Sequence, residues 1–234
     1  MVQRIQKILS ARGLCARREA ERWILHGRVQ VNGVTAKLGD QADPQMDTIT
    51  VDGKPLPKEE SRVYIMLHKP RGVVTTLSDE KGRKNAAQLV DCGCRVYPVG
   101  RLDMDSEGLL LMTNDGEFAN ALAHPKGEVE KTYHVWVTGY APGAAERLSR
   151  PVVIDGYKIK SPKVKLLWKN GERAKFSVVI HEGRNRQVRK MCALAGMTVT
   201  KLLRVAEGSV RLGDLPAGSW RFLTEKEINA LLNE

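Results

Sequence analysis

Carboxylates crowd one short stretch of this chain. Asp103, Asp105 and Glu107 alternate in Gly100-Arg101-Leu102-Asp103-Met104-Asp105-Ser106-Glu107-Gly108, just before the apolar run Leu109–Met112. Such a pattern fits several chemistries. A calcium loop wants D-x-D-x-[DN]-G-x₅-E. Asp103, Asp105 and Gly108 fit it, but the fifth position is Glu107 and the twelfth is Asn114, so the bidentate glutamate is missing. A pair of glycosidase acids stays open on spacing alone. A solvated acidic turn is the plainest reading of acids between glycines. Against it, Arg101-Leu102 and Leu109–Met112 clamp the turn between segments suited to burial, and acids at the edge of a core need partners.

Cationic partners lie downstream. Residues 183–204 hold Arg184, Arg186, Arg189, Lys190, Lys201 and Arg204 and no acid. Within a helix expected at 185–195, Val188, Met191, Cys192 and Ala195 form the apolar stripe. Arg186 and Arg189, three apart, share a neighbouring face. A phosphate-binding basic helix is the simpler alternative. Lys69-Pro70-Arg71-Gly72 ends a strand in a turn, and Glu130-Lys131-Thr132-Tyr133 opens a long one. Alternation puts Tyr133, Val135 and Val137 on one face, so core packing competes with a role for the Tyr133 ring against a base. No G-x-G-x-x-G, G-x-x-x-x-G-K-[ST] or G-x-S-x-G occurs, which removes support for nucleotide-cofactor, P-loop and serine-hydrolase readings. His26, His68, His124, His134 and His181 show no metal-ligand spacing, and each reads as a surface or satisfied core histidine. Cys15, Cys92, Cys94 and Cys192 are scattered, with only a C-x-C pair, and read as reduced thiols.

The elements that must position these groups fall into two texture classes. Helices are expected at 2–13 and 16–26, then a hairpin around Asn32-Gly33 and a strand at 48–51 turning at Asp52-Gly53. Residues 54–62, with two prolines and clustered charge, read as a linker. From Val63 the texture changes: strands at 63–68, 95–99, 109–113, 131–138, 174–181 and 199–204, helices at 116–123, 185–195 and 225–232, the last with Thr224 and Glu227 in capping-box spacing. Few helices between many strands predict a mixed-sheet α+β domain. The 234 residues thus divide into domains 1–60 and 61–234.

Charge sharpens the division. Lys and Arg number 38 against 27 acids, a net +11 that points to a polyanionic partner. Residues 1–28 carry seven basic side chains and two acids, +5; residues 29–60 carry three and six, −3; residues 158–175 carry seven and one, +6. The last stretch reads as a solvated edge able to touch RNA. Arg18 and Arg22 lie one helical turn apart and can straddle phosphates.

RIQKILSARGLCARREAERWILHGRVQVNG resembles the S4 RNA-binding domain, two helices and a small sheet. It departs from the family where Ala16 replaces the usual capping serine, a loss of about 1 kcal/mol, so the second helix is expected to start differently or fray. KPRG at 69–72, GRLDMDSEGLLLMTNDG at 100–116, EKTY at 130–133 and EGRNRQVRKM at 182–191 resemble the RsuA/RluB family of pseudouridine synthases, and the likeness runs over essentially the whole chain.

The resemblance implies isomerisation of uridine to pseudouridine in RNA, without metal or other cofactor. It makes Asp103 the catalytic aspartate, Tyr133 the tyrosine packed on the target uracil and Arg189 the arginine paired with that aspartate. Leu202 lines the pocket. Lys69 and Pro70 form a turn near the tyrosine, and they and Arg101 are expected to bind substrate. Lys7, Arg17, Arg18, Arg22, Arg184 and Arg186 are expected to grip RNA. Attack of Asp103 on C1′ and deprotonation of C2′ both stay open. GEFANALAHPKGEVEKTYHVWVTG is similar to the RluB-like branch, which implies large-subunit (23S) rRNA near the peptidyl transferase centre, free or in a precursor particle.

A non-enzymatic RNA-binding protein explains the charge equally well but not the Gly100–Gly108 segment. A glycosidase needs no S4 module. A membrane-surface binder would gather its basic residues on one amphipathic helix. No apolar run approaches the ~20 residues that span a bilayer, and the N-terminus lacks a secretory pattern. A cytoplasmic protein is therefore expected, with a monomer as the default.

Overall fold

The computed structural model describes residues 1–77, 82–123 and 129–233; His124 lies outside them. The described chain forms two compact units. One is Met1–Arg62 with Cys92–Arg95 and Asn114–Gly116, the other Val63–Asp91, Val96–Thr113 and Glu117–Glu234.

The first unit runs β1 (Gln3–Arg4), α1 (Ile5–Ala11), α2 (Arg17–Leu25), β2 (Val29–Val31), β3 (Val34–Thr35), β4 (Gln41–Ala42), β5 (Ile49–Val51) and β6 (Lys54–Pro55). Ile5, Ile8 and Leu9 of α1 and Ala20 and Ile24 of α2 pack with Val29 and Ile49. The small sheet has the order β3-β2-β5-β6. Its turns use Asn32-Gly33 and Asp52-Gly53, all four at positive φ, as two-residue hairpin turns require. Ala16 caps α2 in extended geometry and makes no side-chain cap hydrogen bond, as its methyl dictates. Part of the expected linker is strand β6, an edge position where Pro55 leaves no ladder bond unmade.

The second unit contains β7 (Tyr64–Lys69), β8 (Tyr97–Pro98), β9 (Glu107–Thr113), α3 (Gly116–Ala123), β10 (Lys131–Thr138), α4 (Ala144–Leu148), β11 (Val153–Ile154), β12 (Tyr157–Lys158), β13 (Lys163–Asn170), β14 (Arg173–Ile180), α5 (Gln187–Leu194), β15 (Thr198–Glu207), β16 (Val210–Arg211), β17 (Trp220–Phe222) and α6 (Glu225–Leu232). Its main sheet has the order β13-β14-β10-β15-β9-β7-β17. β15 and β9 pair in parallel and the neighbouring pairs run antiparallel, so the sheet is mixed as the sequence predicts. Phe118 and Leu122 of α3 and Leu231 of α6 bury Met66, Leu109 and Leu111. α5 packs against β15. No described helix is long and apolar enough to cross a membrane.

Candidate active site

Register gathers the expected residues. On β10, Tyr133 stands opposite Val178 of β14 and Arg204 of β15, and Val135 opposite Leu202. Tyr133, Leu202 and Arg204 therefore share a face of the sheet. The loop Gly100–Ser106 crosses this face under two clamps. The Gly72 N–H donates to the Met104 carbonyl at 2.7 Å, and the Thr75 hydroxyl donates to the Leu102 carbonyl at 2.6 Å while accepting the Leu102 N–H at 3.2 Å. Gly108 then lets β9 meet β15: its φ is +114°, and a Cβ there would lie 2.3 Å from the Arg204 carbonyl oxygen.

These elements enclose a cavity of about 170 Å³. Asp103, Tyr133 and Leu202 line it, with Arg101, Arg184 and Arg186 around them. Tyr133 and Leu202 are buried, whereas the Asp103 side chain is 30% exposed. The wall thus presents one carboxylate beside an aromatic ring and an aliphatic side chain, at a size suited to a planar base. Burial pushes the Tyr133 hydroxyl above its ordinary range, with the hydrogen-bonded Arg204 guanidinium opposing it.

The chain matches an RNA pseudouridylate synthase profile over residues 63–194 and an S4 domain profile over residues 3–49. The chain belongs to the RNA pseudouridine synthase family. This synthase is 43% identical to the ribosomal large subunit pseudouridine synthase B of Bacillus subtilis, over 98% of this chain and 96% of the relative. It is 39% identical to the dual-specificity RNA pseudouridine synthase RluF of Escherichia coli K12, over 96% and 77%. A crystal structure of a pseudouridylate synthase superposes with a TM-score of 0.70 at 30% identity, covering 97% and 99% of the two chains. The resemblance to S4-bearing synthases stands over the whole length.

The synthase departs from the expected ion pairing. Arg189 does not pair with Asp103. Its Nη2 donates to the Asp105 carbonyl at 2.9 Å and lies 3.3 Å from the Asp105 carboxylate, while Nη1 reaches the Val199 carbonyl at 3.4 Å. The guanidinium beside Asp103 belongs to Arg186, with Nη1 at 3.6 Å from Oδ2. Arg186 also forks onto both Asp105 oxygens at 3.1 and 3.0 Å. Helix geometry explains the exchange. α5 begins at Gln187, so Arg186 is its N-cap, at φ +53°, and its side chain leaves by a different path from the helical Arg189. A non-glycine residue in this left-handed conformation stores strain of a kind that clusters at functional sites. Burial pushes the Asp105 carboxyl up, but the Arg186 hydrogen bond and the two guanidinium charges outweigh it and hold the group below its ordinary range.

Lys69 also departs from its expected role. It is fully buried, is not part of the cavity wall, and donates to the carbonyls of Pro70 at 3.0 Å and Val73 at 2.7 Å. It and Pro70 therefore shape the turn that supports the Gly100–Ser106 loop. Burial pushes the Lys69 ammonium down to about 8, against the pull of Asp103, Asp105 and Glu107. Of the residues expected to grip RNA, Arg184 and Arg186 line the cavity. Arg17, Arg18 and Arg22 are exposed on α2, with Arg22 bridged to Glu19, and Lys7 is half-buried on α1.

Sequence reasoning names Arg204 only as one of a basic run and does not single out Thr75 or Gln187. Arg204 is 2% exposed; its Nε donates to the Leu109 carbonyl at 2.7 Å and its Nη2 lies 3.2 Å from Glu207, itself buried. Inside a run of basic residues nothing distinguishes it, although its alternation with Leu202 was the available signal. Gln187 accepts the Arg184 N–H at 3.0 Å, and its Nε2 is buried without a hydrogen-bond partner among the described residues.

Proposed function

We propose that this synthase isomerises uridine to pseudouridine in ribosomal RNA, most specifically large-subunit rRNA, with Asp103 as the catalytic residue and no cofactor. The observation that carries this reading is the placement of Asp103 at the cavity wall with Tyr133 and Leu202. In the reaction the N1–C1′ bond breaks, the uracil turns, C5 bonds to C1′, and the C5 proton leaves to solvent while N1 gains one. No heavy atom of the nucleotide is gained or lost, so the chain has only to bind, orient and move protons.

Each wall residue has a part. The Asp103 carboxylate meets the sugar at the bond that breaks. Tyr133 and Leu202 sandwich the freed base and hold it during its turn, and the Tyr133 hydroxyl relays the C5 proton toward solvent, giving up its own proton as it takes that one. Arg204, hydrogen-bonded to that hydroxyl and ion-paired with Glu207, fixes the hydroxyl's position against the base. Arg186 bridges the Asp103 and Asp105 carboxylates and holds them in place. A target uridine reaches the cavity only unpaired or flipped out, so Arg101, Arg184 and the S4 helices supply the grip on backbone phosphates. The protein works as a monomer on rRNA or on a precursor particle. Support comes from the relative named as a ribosomal large subunit pseudouridine synthase, beside one named as a dual-specificity RNA pseudouridine synthase.

Pseudouridine mapping of total RNA from cells lacking the gene tests the substrate. One large-subunit position is expected to revert to uridine and to regain pseudouridine when the wild-type gene returns. Loss confined to small-subunit rRNA or to tRNA would overturn the large-subunit assignment.

A further inference from the structure

The cavity rim carries an arginine–tyrosine stack that the isomerisation itself does not use. β11 and β12 form a hairpin whose turn residues, Asp155 and Gly156, both take positive φ. Ile154 and Ile159 are buried and root the hairpin in the fold. Asp155 ties it to α5 through Lys190 at 2.5 Å. Against this fixed base, Tyr157 leaves 56% of its surface open. Arg184 covers one ring face, with Cζ 3.8 Å from the ring centroid, and also lines the cavity. Glu182 holds that guanidinium at 3.3 Å. One side chain therefore runs from the wall where the target uridine would sit to the back of an exposed aromatic ring. Lys158, next in the strand, is exposed beside it.

A uridine that leaves its stack to enter a pocket deprives the flanking bases of a neighbour. Aromatic side chains replace that stacking for any base, because every base has a π-face. A rigid, arginine-backed tyrosine at the rim meets this need at little entropic cost, since its ring is already held.

We propose that Tyr157, backed by Arg184, binds the nucleobase adjacent to the target uridine and so positions the RNA strand while the uridine occupies the cavity. This inference rests on the reading that the substrate is a uridine in RNA.

The test uses the full-length protein and the rRNA fragment in which the wild-type enzyme forms pseudouridine, with 2-aminopurine placed in turn on each side of the target. At one of the two positions, wild type is expected to quench 2-aminopurine fluorescence on binding. Tyr157→Ala is expected to lose that quench and to raise KM about tenfold, with kcat within about twofold and an unchanged melting temperature. Tyr157→Phe is expected to restore both quench and KM, which a role for the hydroxyl in the fold would not allow. An unchanged KM and quench in Tyr157→Ala, on a fragment that wild type does convert, would overturn this inference alone. Failure of wild type to convert any RNA uridine would overturn both readings.

Discussion

Asp103 and Asp105 sit two residues apart and keep different company. Asp105 is gripped by Arg186 and Arg189, whereas among the described residues Asp103 is ion-paired with Arg186 alone, at 3.6 Å. The two arginines should therefore fail differently. Arg189 is 13% exposed and donates to the Asp105 carbonyl, so Arg189→Ala removes a part-buried, charge-assisted hydrogen bond and is expected to cost about 1–3 kcal/mol of stability. Arg186 is 44% exposed, so losing its ion pair in Arg186→Ala is expected to cost no more than about 1 kcal/mol. Its turnover should nonetheless fall about tenfold, because it removes the cation facing Asp103. Thermal melts and tritium release from 5-³H-uridine RNA separate the two. A stable Arg189→Ala protein with lost turnover, beside a fully active Arg186→Ala, would restore the Arg189–Asp103 pairing. The spacing of Arg186 and Arg189 was legible in the sequence, but the positive φ at Arg186 that decides which side chain turns toward Asp103 was not. Lys69 misled for a similar reason. Its motif marked the turn correctly, while only packing reveals that its ammonium serves the turn's own carbonyls.

Element by element, local rules carried far. The hairpin at Asn32-Gly33, the second helix and the Thr224–Glu227 capping box are present where the residues put them, because each signal lies within a few residues, whereas the helix expected at 2–13 is only Ile5–Ala11, since Gln3 and Arg4 pair with the distant Ala42 and Gln41. β13 was hidden. Lys163, Lys165 and Lys169 gave its segment the look of a solvated basic run, and lysine is what protects an edge strand from pairing with another chain. Ala16 offers a direct test of the first unit. Its backbone is already extended for capping, so Ala16→Ser is expected to raise stability by about 0.5–1 kcal/mol in urea unfolding. At the other end, Glu227 accepts from Arg221 at 2.6 and 2.8 Å, and chiefly that bond holds its carboxyl down at about 2. A carboxylate with a depressed folded pKa stabilises fully above its unfolded value of about 4.3 and loses that contribution as pH falls toward about 2. With the pair partly open to solvent, Glu227→Gln is expected to cost about 1–2 kcal/mol at pH 7. It keeps the neutral half of the capping box, and its stability curve should meet that of wild type as pH approaches 2. A constant gap across that range would refute the ion-pair account.

For the whole molecule, the net +11 resolves into separate tasks. α2 displays Arg17 and Arg18 to solvent, suited to the sequence-independent grip that phosphates require. In the second unit, Arg204 is buried beneath the cavity, and Arg186 and Arg189 are engaged by aspartates, so part of the charge serves to build the site. The two-unit organisation and the mixed sheet were legible from texture and charge, because both reflect long stretches of sequence. The convergence of residues 69–75, 100–108, 133, 184–189 and 202–204 was legible only through family likeness, since long-range register, not spacing, brings them together. If that convergence is a catalytic centre, grip and chemistry must come apart on substitution. The most direct measurement is tritium release from 5-³H-uridine-labelled large-subunit rRNA by Asp103→Asn, with RNA affinity measured on the same protein. Release at background with affinity within about twofold of wild type is the predicted result. Release at a substantial fraction of the wild-type rate would contradict the assignment of Asp103.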